Sequence, residues 1–417
     1  MTDAYVIVGA SLAGAKAAET LRAEGFDGTV VLIGAESERP YERPPLSKDL
    51  LLGKADRNKA FVHEPGWYAE HDVDLRLGSR ITSIDRSARQ VRLEDGSAVG
   101  YTRLLLATGA SPRRLPVPGA DLAGLLYLRT LADSEALLAA LRRGGQVVIA
   151  GAGWIGLEVA AAARQAGCPV TVVEPEATAL RRAVGPEVGE VFAQLHRDHG
   201  VQFRFGETVS ELRGDGAGSS AAGQAAGSVR QVLTSGGATL DADIVVAGIG
   251  AAPNAGLAAD AGLETDNGVL TDESLRTSDP DIFAAGDVAN AFNPLLGRRI
   301  RVEHWANALN SGPAAARAML GQPVSYDRVP YFYSDQYDLG MEAAGVPEPG
   351  SYDQLVYRGE PQSREFVAFW LKSGAVVAGM NVNVWDVNDA IQDLIRSGAP
   401  ADPARLSDPD VPLADLI

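Results

Sequence analysis

The stretch Gly9-Ala10-Ser11-Leu12-Ala13-Gly14 directly follows the apolar run Tyr5-Val6-Ile7-Val8, and this junction decides the fold of the chain. Glycines at this spacing after an apolar run predict a strand, a tight turn and a helix that bind a dinucleotide. The pattern returns at Gly151-Ala152-Gly153-Trp154-Ile155-Gly156, after Val147-Val148-Ile149-Ala150. We call residues 9–14 the first glycine loop and residues 151–156 the second glycine loop. Two such loops suggest that electrons pass between two bound dinucleotides.

The residues around the first glycine loop predict a βαβ unit. Strand Ala4–Val8, helix Ala13–Ala23 and strand Thr29–Ile33 follow one another. Glu36 lies about 20 residues beyond the loop, where an acidic side chain meets a ribose hydroxyl. Ser11 replaces the middle glycine, and its small side chain still lets the backbone approach a pyrophosphate.

The second unit repeats the pattern with all three glycines, followed by helix Ile155–Ala166 and strand Val170–Val173, which ends on Glu174. A carboxylate at that position accepts a hydrogen bond from the ribose 2′-hydroxyl and repels a 2′-phosphate. Arg181 and Arg182 lie close enough in sequence to reach such a phosphate. Because the acid occupies the discriminating position, we predict NADH rather than NADPH.

Composition limits the other function classes. The 417 residues predict two or three domains. The net charge of -17 argues against nucleic acid or an anionic membrane as a general partner. No apolar stretch reaches the ~18 residues of a membrane span. The start of the chain lacks the pattern of a secretory signal, so a cytoplasmic location is expected.

Cys168 is the single cysteine, and it is predicted to be a buried structural thiol. One cysteine cannot form an internal disulfide, and it cannot by itself hold an iron–sulfur cluster. His196 and His199 stand three residues apart on a predicted helix, but no further ligand has metal spacing. We therefore expect two solvated histidines and no metal site.

The remaining pattern completes the predicted organisation. Residues 80–93 and the Asp95-Gly96 turn predict a hairpin, residues 213–229 a flexible surface excursion, and the residues past Pro323 a separate α+β domain. The predicted fold class is α/β, with two Rossmann-like dinucleotide-binding domains and a C-terminal α+β domain. The predicted boundaries are 1–113 with 249–322 for the first dinucleotide-binding domain, 114–248 for the second, and 323–417 for the C-terminal domain.

Several motifs resemble those of the FAD-dependent NADH:ferredoxin reductases that serve Rieske oxygenases and bacterial cytochrome monooxygenases. Pro44-Pro45-Leu46-Ser47-Lys48 together with Tyr333-Ser334-Asp335-Gln336-Tyr337 is fairly specific for this branch of the flavin reductases. Beyond these and the first glycine loop, the resemblance is carried by residues 38–43, 106–109, 128–130, 153–158, 277–287 and 303–305.

The resemblance implies a glutathione-reductase-like fold in which FAD binds to the first of these domains and NADH to the second. The FAD pyrophosphate lies on Gly9, Ser11, Ala13 and Gly14, and Glu36 touches the adenosine ribose, although many relatives carry that acid one position earlier. The other residues implied in FAD binding are Lys48 beside the flavin ring, Arg129 at the phosphates or adenine, Gly286 and Asp287 at the ribityl chain, and Trp305 near the isoalloxazine. The residues implied in NAD binding are Gly151, Gly153, Ile155, Gly156 and Glu174.

The residues implied in catalysis are Lys48, Glu158 and Trp305, with Glu158 facing the nicotinamide and pairing with the lysine. A helix from Trp305 through Leu320 is predicted to direct its positive N-terminus at the flavin. Each residue also has a structural alternative. Lys48 and Arg129 could be solvated, Trp305 could be ordinary core, and Glu158 could favour the dipole in the first turn of its helix.

The implied activity is hydride transfer from NADH to FAD, followed by single-electron transfer to a plant-type or Rieske-type [2Fe–2S] ferredoxin. The missing cysteine pair excludes disulfide reduction, so electrons must leave the flavin for an outside acceptor. A rubredoxin or monodehydroascorbate reductase, or an apoptosis-inducing-factor-like NADH-binding interaction protein, are the alternatives. A monomer or weak homodimer is expected. Arg113 and Arg114, or Arg298, Arg299 and Arg301, are candidates for contacting an acidic ferredoxin.

Overall fold

The computed structural model describes residues 3–215 and 227–416, which form two compact units. The first unit consists of residues 3–43, 57–111 and 251–330. The second consists of residues 44–56, 112–250 and 331–416. Each unit therefore combines segments that are distant in sequence. The predicted division into three domains stays a prediction beside this grouping.

A parallel sheet of five strands forms the centre of the first unit. Its central strand and its neighbour fall at the predicted residues, and the helix after the first glycine loop, Leu12–Ala23, begins one residue earlier than predicted. The strands are rich in Val, Ile and Leu because both faces of such a sheet are covered. In spatial order they are Ile282–Ala284, Arg103–Leu106, Ala4–Val8, Thr29–Ile33 and Val73–Arg76.

The other elements of the first unit cover this sheet and extend it. Gly312 lets helix Trp305–Met319 approach helix Leu12–Ala23, because a Cβ there would lie 2.3 Å from the Ala13 carbonyl oxygen. The predicted hairpin is a three-stranded antiparallel sheet of Ile81–Asp85, Gln90–Leu93 and Ala98–Gly100. A second three-stranded sheet contains Val269–Thr271, Ala289–Asn293 and Arg298–Arg301. The remaining helices are Arg57–Ala60 (3₁₀), Trp67–Glu70, Gly256–Asp260 and Gly286–Val288 (3₁₀).

The second unit repeats the five-stranded parallel sheet around its own glycine loop. The two sheets differ in the strand at one edge. In the first unit that strand, Ile282–Ala284, comes from late in the chain, whereas in the second unit it is Leu125–Leu126, which precedes the glycine loop. The strands in spatial order are Gln202–Phe205, Val170–Glu174, Val147–Ala150, Ile244–Ala247 and Leu125–Leu126. The helices are Pro44–Ser47 (3₁₀), Leu131–Arg143, Trp154–Gln165 and Arg181–Asp198.

An antiparallel sheet of Val209–Gly214, Val229–Thr234 and Thr239–Asp241 also belongs to this unit. The flexible excursion expected over residues 213–229 falls largely on residues 216–226, which lie outside the described residues. The chain crosses between the units after residues 43, 56, 111, 250 and 330. Two short strands, Ala110–Pro112 and Ala251–Pro253, lie at the third and fourth of these crossings.

The C-terminal residues of the second unit form a five-stranded antiparallel sheet with helices, which is the α+β composition expected there. Phe366, Phe369 and Trp370, all on strand Glu365–Lys372, are fully buried. The strands in spatial order are Tyr331–Gln336, Leu339–Gly345, Ala375–Val382, Glu365–Lys372 and Gln354–Glu360. The helices are Pro361–Ser363 (3₁₀), Asn388–Ser397, Pro403–Ser407 and Leu413–Leu416 (3₁₀).

Candidate dinucleotide sites and a buried carboxylate

The outer glycines of both loops are required by the packing of the chain itself. Gly9 has a φ of 123°, and a Cβ there would lie 2.0 Å from the Ala107 carbonyl oxygen. Gly151 has a φ of 102°, and its Cβ would lie 2.4 Å from the Gly248 carbonyl oxygen. The third glycines, Gly14 and Gly156, each approach the carbonyl of the first glycine of their loop so closely that a Cβ would lie 2.1 Å from it.

The middle position of the loops is different, because a Cβ at Gly153 would meet no atom within 4 Å. The protein does not itself need glycine there, which explains why the first loop accepts Ser11. Both following helices also begin without a side chain bonded at the N-cap and without an acid in the first turn. In contrast, helix Leu131–Arg143 has a complete capping box formed by Thr130 and Asp133. The uncapped N–H groups and open space fit a bound pyrophosphate.

Glu36 lies half-exposed in the first unit and is held by two side chains. Tyr41 donates its hydroxyl to one Glu36 oxygen at 2.5 Å, and Arg43 lies 3.3 Å from the other. Arg43 also interacts electrostatically with Asp287, and burial raises the pKa of Tyr41 to about 12. The sequence motif contains Arg43, but we did not predict it as a site residue. The half-buried Arg43 guanidinium therefore interacts with both the Glu36 and the Asp287 carboxylates.

Gly286 and Asp287 lie beside the first glycine loop. Strand Ile282–Ala284 ends two residues before Gly286. Gly286 opens a 3₁₀ turn with a φ of 73°, where a Cβ would lie 3.2 Å from the Ala13 Cβ. The Gly286 N–H donates to the Ser311 hydroxyl at 2.9 Å. The structure therefore brings Ala13, Gly286 and Asp287 together within the first unit.

Trp305 is the first residue of helix Trp305–Met319, close to its predicted start, and it is half-buried. Burial raises the pKa of the Glu42 carboxyl, and a hydrogen bond from Trp305 partly opposes this shift. The N-terminus of the helix has neither a side-chain cap nor an acid in its first turn. It is thus available to an electron-rich group, as predicted for the flavin.

Glu174 is buried at the end of its strand in the second unit and folds back onto the second glycine loop. Its oxygens accept from the backbone N–H of Ala152 at 2.6 Å and of Glu176 at 2.9 Å. Each carboxylate oxygen retains a lone pair for a ribose hydroxyl. Arg181 and Arg182 both pair with Glu176, at 3.6 Å and 2.7 Å, so neither guanidinium is directed freely at a 2′-phosphate.

Glu158 lies at the centre of a buried polar cluster in the second unit. Its carboxylate accepts from Lys48 Nζ at 2.7 Å, from Ser334 Oγ at 2.7 Å and from Ser47 Oγ. We call these four residues the Glu158 cluster. The side chains of Lys48 and Glu158 are 14% and 4% exposed, so the alternative of a solvated lysine is wrong.

Glu158 is the fifth residue of helix Trp154–Gln165, which places it beyond the first turn. The alternative that it favours the helix dipole there is therefore wrong. Ser47 and Ser334 were not predicted as site residues. Both stand in the motifs that carry the resemblance, but no local pattern shows that they meet one carboxylate.

Two family models together match most of the chain. The pyridine nucleotide-disulphide oxidoreductase model matches residues 3–312, and the reductase C-terminal model matches residues 331–417. The chain belongs to the pyridine nucleotide-disulphide oxidoreductase family. Members of this family use FAD and NAD(H) as cofactors, as predicted, and the predicted fold class is confirmed.

Named relatives of the oxidoreductase are ferredoxin reductases. The chain is 43% identical to the ferredoxin–NAD(+) reductase component of an anthranilate 1,2-dioxygenase system from Burkholderia cepacia, covering 100% of this chain and 99% of the relative. It is 38% identical to putidaredoxin reductase from Pseudomonas putida, covering 100% and 97%. The crystal structure of a covalent putidaredoxin reductase–putidaredoxin complex superposes with a TM-score of 0.93, 38% identity and coverage of 99% and 98%. The prediction of an NADH-dependent ferredoxin reductase is confirmed.

The oxidoreductase differs from the disulphide enzymes that name its family, since its single cysteine cannot form a pair. Cys168 is buried as predicted, and burial raises the pKa of its thiol.

Among residues 3–215 and 227–416, no group of His, Cys, Asp and Glu is arranged to hold a metal ion. In the same described residues, no helix is both long and apolar enough to cross a membrane.

The prediction of two solvated histidines is wrong. His196 is fully buried, and burial lowers its pKa to about 4. It shares one helix face with Val188 and Phe192, and Gln336 accepts from its ring at 2.8 Å. His199 is half-buried and stacks on Tyr337 at 3.7 Å between ring centroids. The apolar residues at helical spacing before His196 were the signal for this buried face.

Four further residues were predicted to contact a cofactor or the partner protein. Ile155 is 44% exposed at the start of its helix, and Arg129 is half-buried beside the Thr130 cap. Arg299 donates to the carbonyl oxygen of Thr271, and Arg301 donates to Glu303. These contacts within the first unit limit how far the guanidinium groups of Arg299 and Arg301 can reach toward a partner.

Proposed function

We propose that this oxidoreductase passes hydride from NADH to FAD, and then single electrons to a [2Fe–2S] ferredoxin that serves a Rieske oxygenase or a cytochrome monooxygenase. The observation that carries the proposal is the pair of glycine loops, each with uncapped helix N–H groups, in a chain without a cysteine pair. FAD, when bound, supplies the conversion of a two-electron donation into one-electron steps.

The first unit is proposed to hold FAD through the residues gathered around its glycine loop. The loop N–H groups bind the pyrophosphate, and Arg43 adds a positive charge beside it. Asp287, which is 9% exposed, is placed to accept from hydroxyl groups. The uncapped N-terminus at Trp305 stabilises negative charge on the isoalloxazine. Glu36 is proposed for the adenosine ribose, and Arg129 for the FAD phosphates or adenine.

The second unit is proposed to hold NADH. The second glycine loop, with Ile155 exposed beside it, receives the pyrophosphate, and Glu174 accepts from the ribose 2′-hydroxyl. The preference for NADH over NADPH follows from the Glu174 carboxylate and from the pairing of both nearby arginines with Glu176.

Lys48 and Glu158 are proposed to serve the reduction of the flavin by NADH. A lysine ammonium held by a buried carboxylate is fixed in place and desolvated, which strengthens its effect on charge that develops during hydride transfer. The Tyr333 ring lies 5.3 Å from Lys48 Nζ and restricts the lysine from another side.

The partner is proposed to be a plant-type or Rieske-type [2Fe–2S] ferredoxin. The relatives' names support this choice, since one is a component of a dioxygenase system and another forms a complex with putidaredoxin. Local positive charge, at Arg113 and Arg114 or alternatively at Arg298, would steer an acidic ferredoxin toward this acidic chain. We further propose a cytoplasmic location and a monomeric or weakly dimeric state.

The test compares turnover of the FAD-loaded protein with NADH and three acceptors: a plant-type [2Fe–2S] ferredoxin, a Rieske-type ferredoxin and ferricyanide. We expect one of the ferredoxins to be reduced with a higher kcat/KM than ferricyanide. If rubredoxin or monodehydroascorbate proves the better acceptor, the ferredoxin assignment is wrong. If NADH binds but no acceptor is reduced, an interaction protein is favoured instead.

A further inference from the structure

A chain of hydrogen bonds connects the Glu158 cluster to a buried histidine. Ser334 Oγ donates to Glu158 Oε1 at 2.7 Å, and Gln336 Nε2 donates to Ser334 Oγ at 3.1 Å. His196 Nε2 lies 2.8 Å from Gln336 Oε1. His196, Ser334 and Gln336 are at most 1% exposed, so water cannot readily replace any of these bonds.

The direction of each bond follows from the chemistry of the groups. The Glu158 carboxylate only accepts, so the Ser334 hydroxyl donates to it and is left to accept from the Gln336 amide nitrogen. The Gln336 carbonyl oxygen must then accept, which requires a hydrogen on His196 Nε2. His196 Nδ1 is left as an acceptor, and the Tyr337 hydroxyl lies 3.4 Å from it.

Two regular elements hold this chain of bonds in place. Ser334 and Gln336 are two residues apart on strand Tyr331–Gln336, so both side chains point to the same face. His196 projects from the buried face of helix Arg181–Asp198, beside Phe192. The Glu158 carboxylate is therefore held by Ser334 on this strand and, through Gln336, is connected to His196 on this helix. The ion pair with Lys48 involves neither element.

We propose that Ser334 and Gln336 are positioning residues for the reduction of the flavin by NADH, and that neutral His196 sets the orientation of Gln336. The proposal rests on the proposed function, specifically on the role of Lys48 and Glu158. With Ser334 and Ser47 bound to the carboxylate, Glu158 holds one orientation, and Lys48 is held with it. Without Ser334, the carboxylate can rotate toward Lys48 or Ser47, and the ammonium moves with it.

The ionisation of the groups agrees with this arrangement. Burial lowers the pKa of His196 to about 4, so the imidazole is neutral at pH 7 and carries a single ring hydrogen. The bond to Gln336 places that hydrogen on Nε2. A protonated ring would place a second donor, at Nδ1, toward the Tyr337 hydroxyl.

A purely structural role is the competing interpretation, in which the same bonds only anchor the C-terminal sheet to the helix. Two matched pairs separate the interpretations. His196→Gln keeps an N–H donor toward Gln336, whereas His196→Met removes it. Ser334→Ala removes a hydroxyl that is 1% exposed. Thr234→Val removes one that is 4% exposed and that bonds to the Ala238 N–H and the Glu207 carboxylate rather than to the Glu158 cluster.

The experiment uses the FAD-loaded full chain and measures flavin reduction by NADH in anaerobic stopped flow. We expect Ser334→Ala to slow reduction about tenfold, as for a lost hydrogen bond to a charged group, and Gln336→Met and His196→Met about threefold. His196→Gln and Thr234→Val should stay within about twofold of the wild type. FAD content and reoxidation of photoreduced enzyme by ferricyanide should be unchanged in Ser334→Ala.

A second readout does not depend on activity. NMR shifts of the ring nitrogens of labelled histidine, assigned with His196→Gln, should show hydrogen on Nε2 in the wild type and a changed tautomer population in Gln336→Met. If His196 carries its hydrogen on Nδ1 in the wild type, the proposed direction of the chain is overturned.

The kinetic outcomes separate this inference from the proposed function. If Glu158→Gln slows flavin reduction but Ser334→Ala and Gln336→Met do not, the inference is overturned and the proposed function stands. If FAD content, Tm, flavin reduction by NADH and reoxidation by ferricyanide all fall together in every variant, the structural interpretation replaces the inference. If the wild type is not reduced by NADH at all, the proposed function itself fails.

Discussion

The two dinucleotide-binding halves each contain a five-stranded parallel sheet and a glycine loop, yet the second residue after the third glycine is Lys16 in one and Glu158 in the other. Lys16 pairs with Glu19 on the same helix, and the two side chains are 24% and 35% exposed. Glu158 is 4% exposed and bonds to residues far away in sequence. The same local fold thus presents a surface position in one half and a polar cluster in the other.

The halves also use their acidic residues differently. Glu36 is bound by the side chains of Tyr41 and Arg43, whereas Glu174 accepts from the backbone of its own glycine loop. The first acid is part of a charged side-chain group around Asp287. The second stiffens the loop itself and remains close to it. This difference suits a cofactor that stays bound in the first half and one that exchanges in the second.

The largest effect should come from the third glycine of each loop. In either half a valine would clash with a carbonyl oxygen that lies 2.1 Å from the added Cβ. We expect Gly14→Val to yield protein without FAD, and Gly156→Val to keep FAD but lose at least about a hundredfold in kcat/KM for NADH, or about 2.7 kcal/mol. Absorbance spectra and steady-state kinetics measure both. Equal loss of FAD in the two variants would contradict the assignment of the loops.

The two lysines provide the next contrast, in stability. Lys48→Met leaves a buried carboxylate without its cation and should lower the free energy of unfolding by about 3 kcal/mol. Lys16→Met breaks a solvent-screened pair and should cost less than about 1 kcal/mol. Chemical denaturation of both variants measures the difference, with Lys48→Met combined with Glu158→Gln as the control. Equal losses would mean that the Glu158 cluster is solvated.

A buried histidine should make stability depend on pH. The pKa of His196 is about 4 in the folded protein and about 6.5 when unfolded, so the unfolded state binds the proton first as pH falls. The stabilising contribution is present above pH 6.5, and about 2 kcal/mol of it should be lost between pH 6.5 and pH 5.

Denaturation at pH 6.5 and at pH 5 tests this prediction. Between these pH values the free energy of unfolding of His196→Gln should fall by about 2 kcal/mol less than that of the wild type. His71 in the first half is exposed, so His71→Gln serves as the matched control and should behave as the wild type. A wild type and His196→Gln with parallel pH profiles would show that the imidazole is accessible to protons in the folded state.

The smallest expected effect concerns the choice of nicotinamide cofactor. Glu174→Ala should lower the ratio of kcat/KM for NADH over NADPH about tenfold, because a hydrogen bond to the ribose and the repulsion of the 2′-phosphate are both removed. Glu36→Ala should leave that ratio unchanged and weaken FAD binding instead. The assignment of Glu174 is wrong if its variant keeps the wild-type ratio.

Local sequence predicted the two βαβ units closely. The glycines adopt positive φ or approach carbonyl oxygens directly, and such backbone demands leave few alternatives to glycine. The first helix was placed within one residue, and the first two strands at their observed bounds. The prediction for His196 was wrong because it considered only the three-residue spacing to His199. It did not consider the apolar helix face that His196 shares with Val188 and Phe192.

The sequence by itself determined the two dinucleotide loops and their flanking strands, because these depend on neighbouring residues and on backbone geometry. Tertiary structure alone decided the Glu158 cluster and the burial of His196. Lys48 and Ser334 stand 110 and 176 residues from Glu158, and Gln336 stands 140 residues from His196. No local periodicity connects such positions, since only packing of distant elements sets which buried polar groups must satisfy one another.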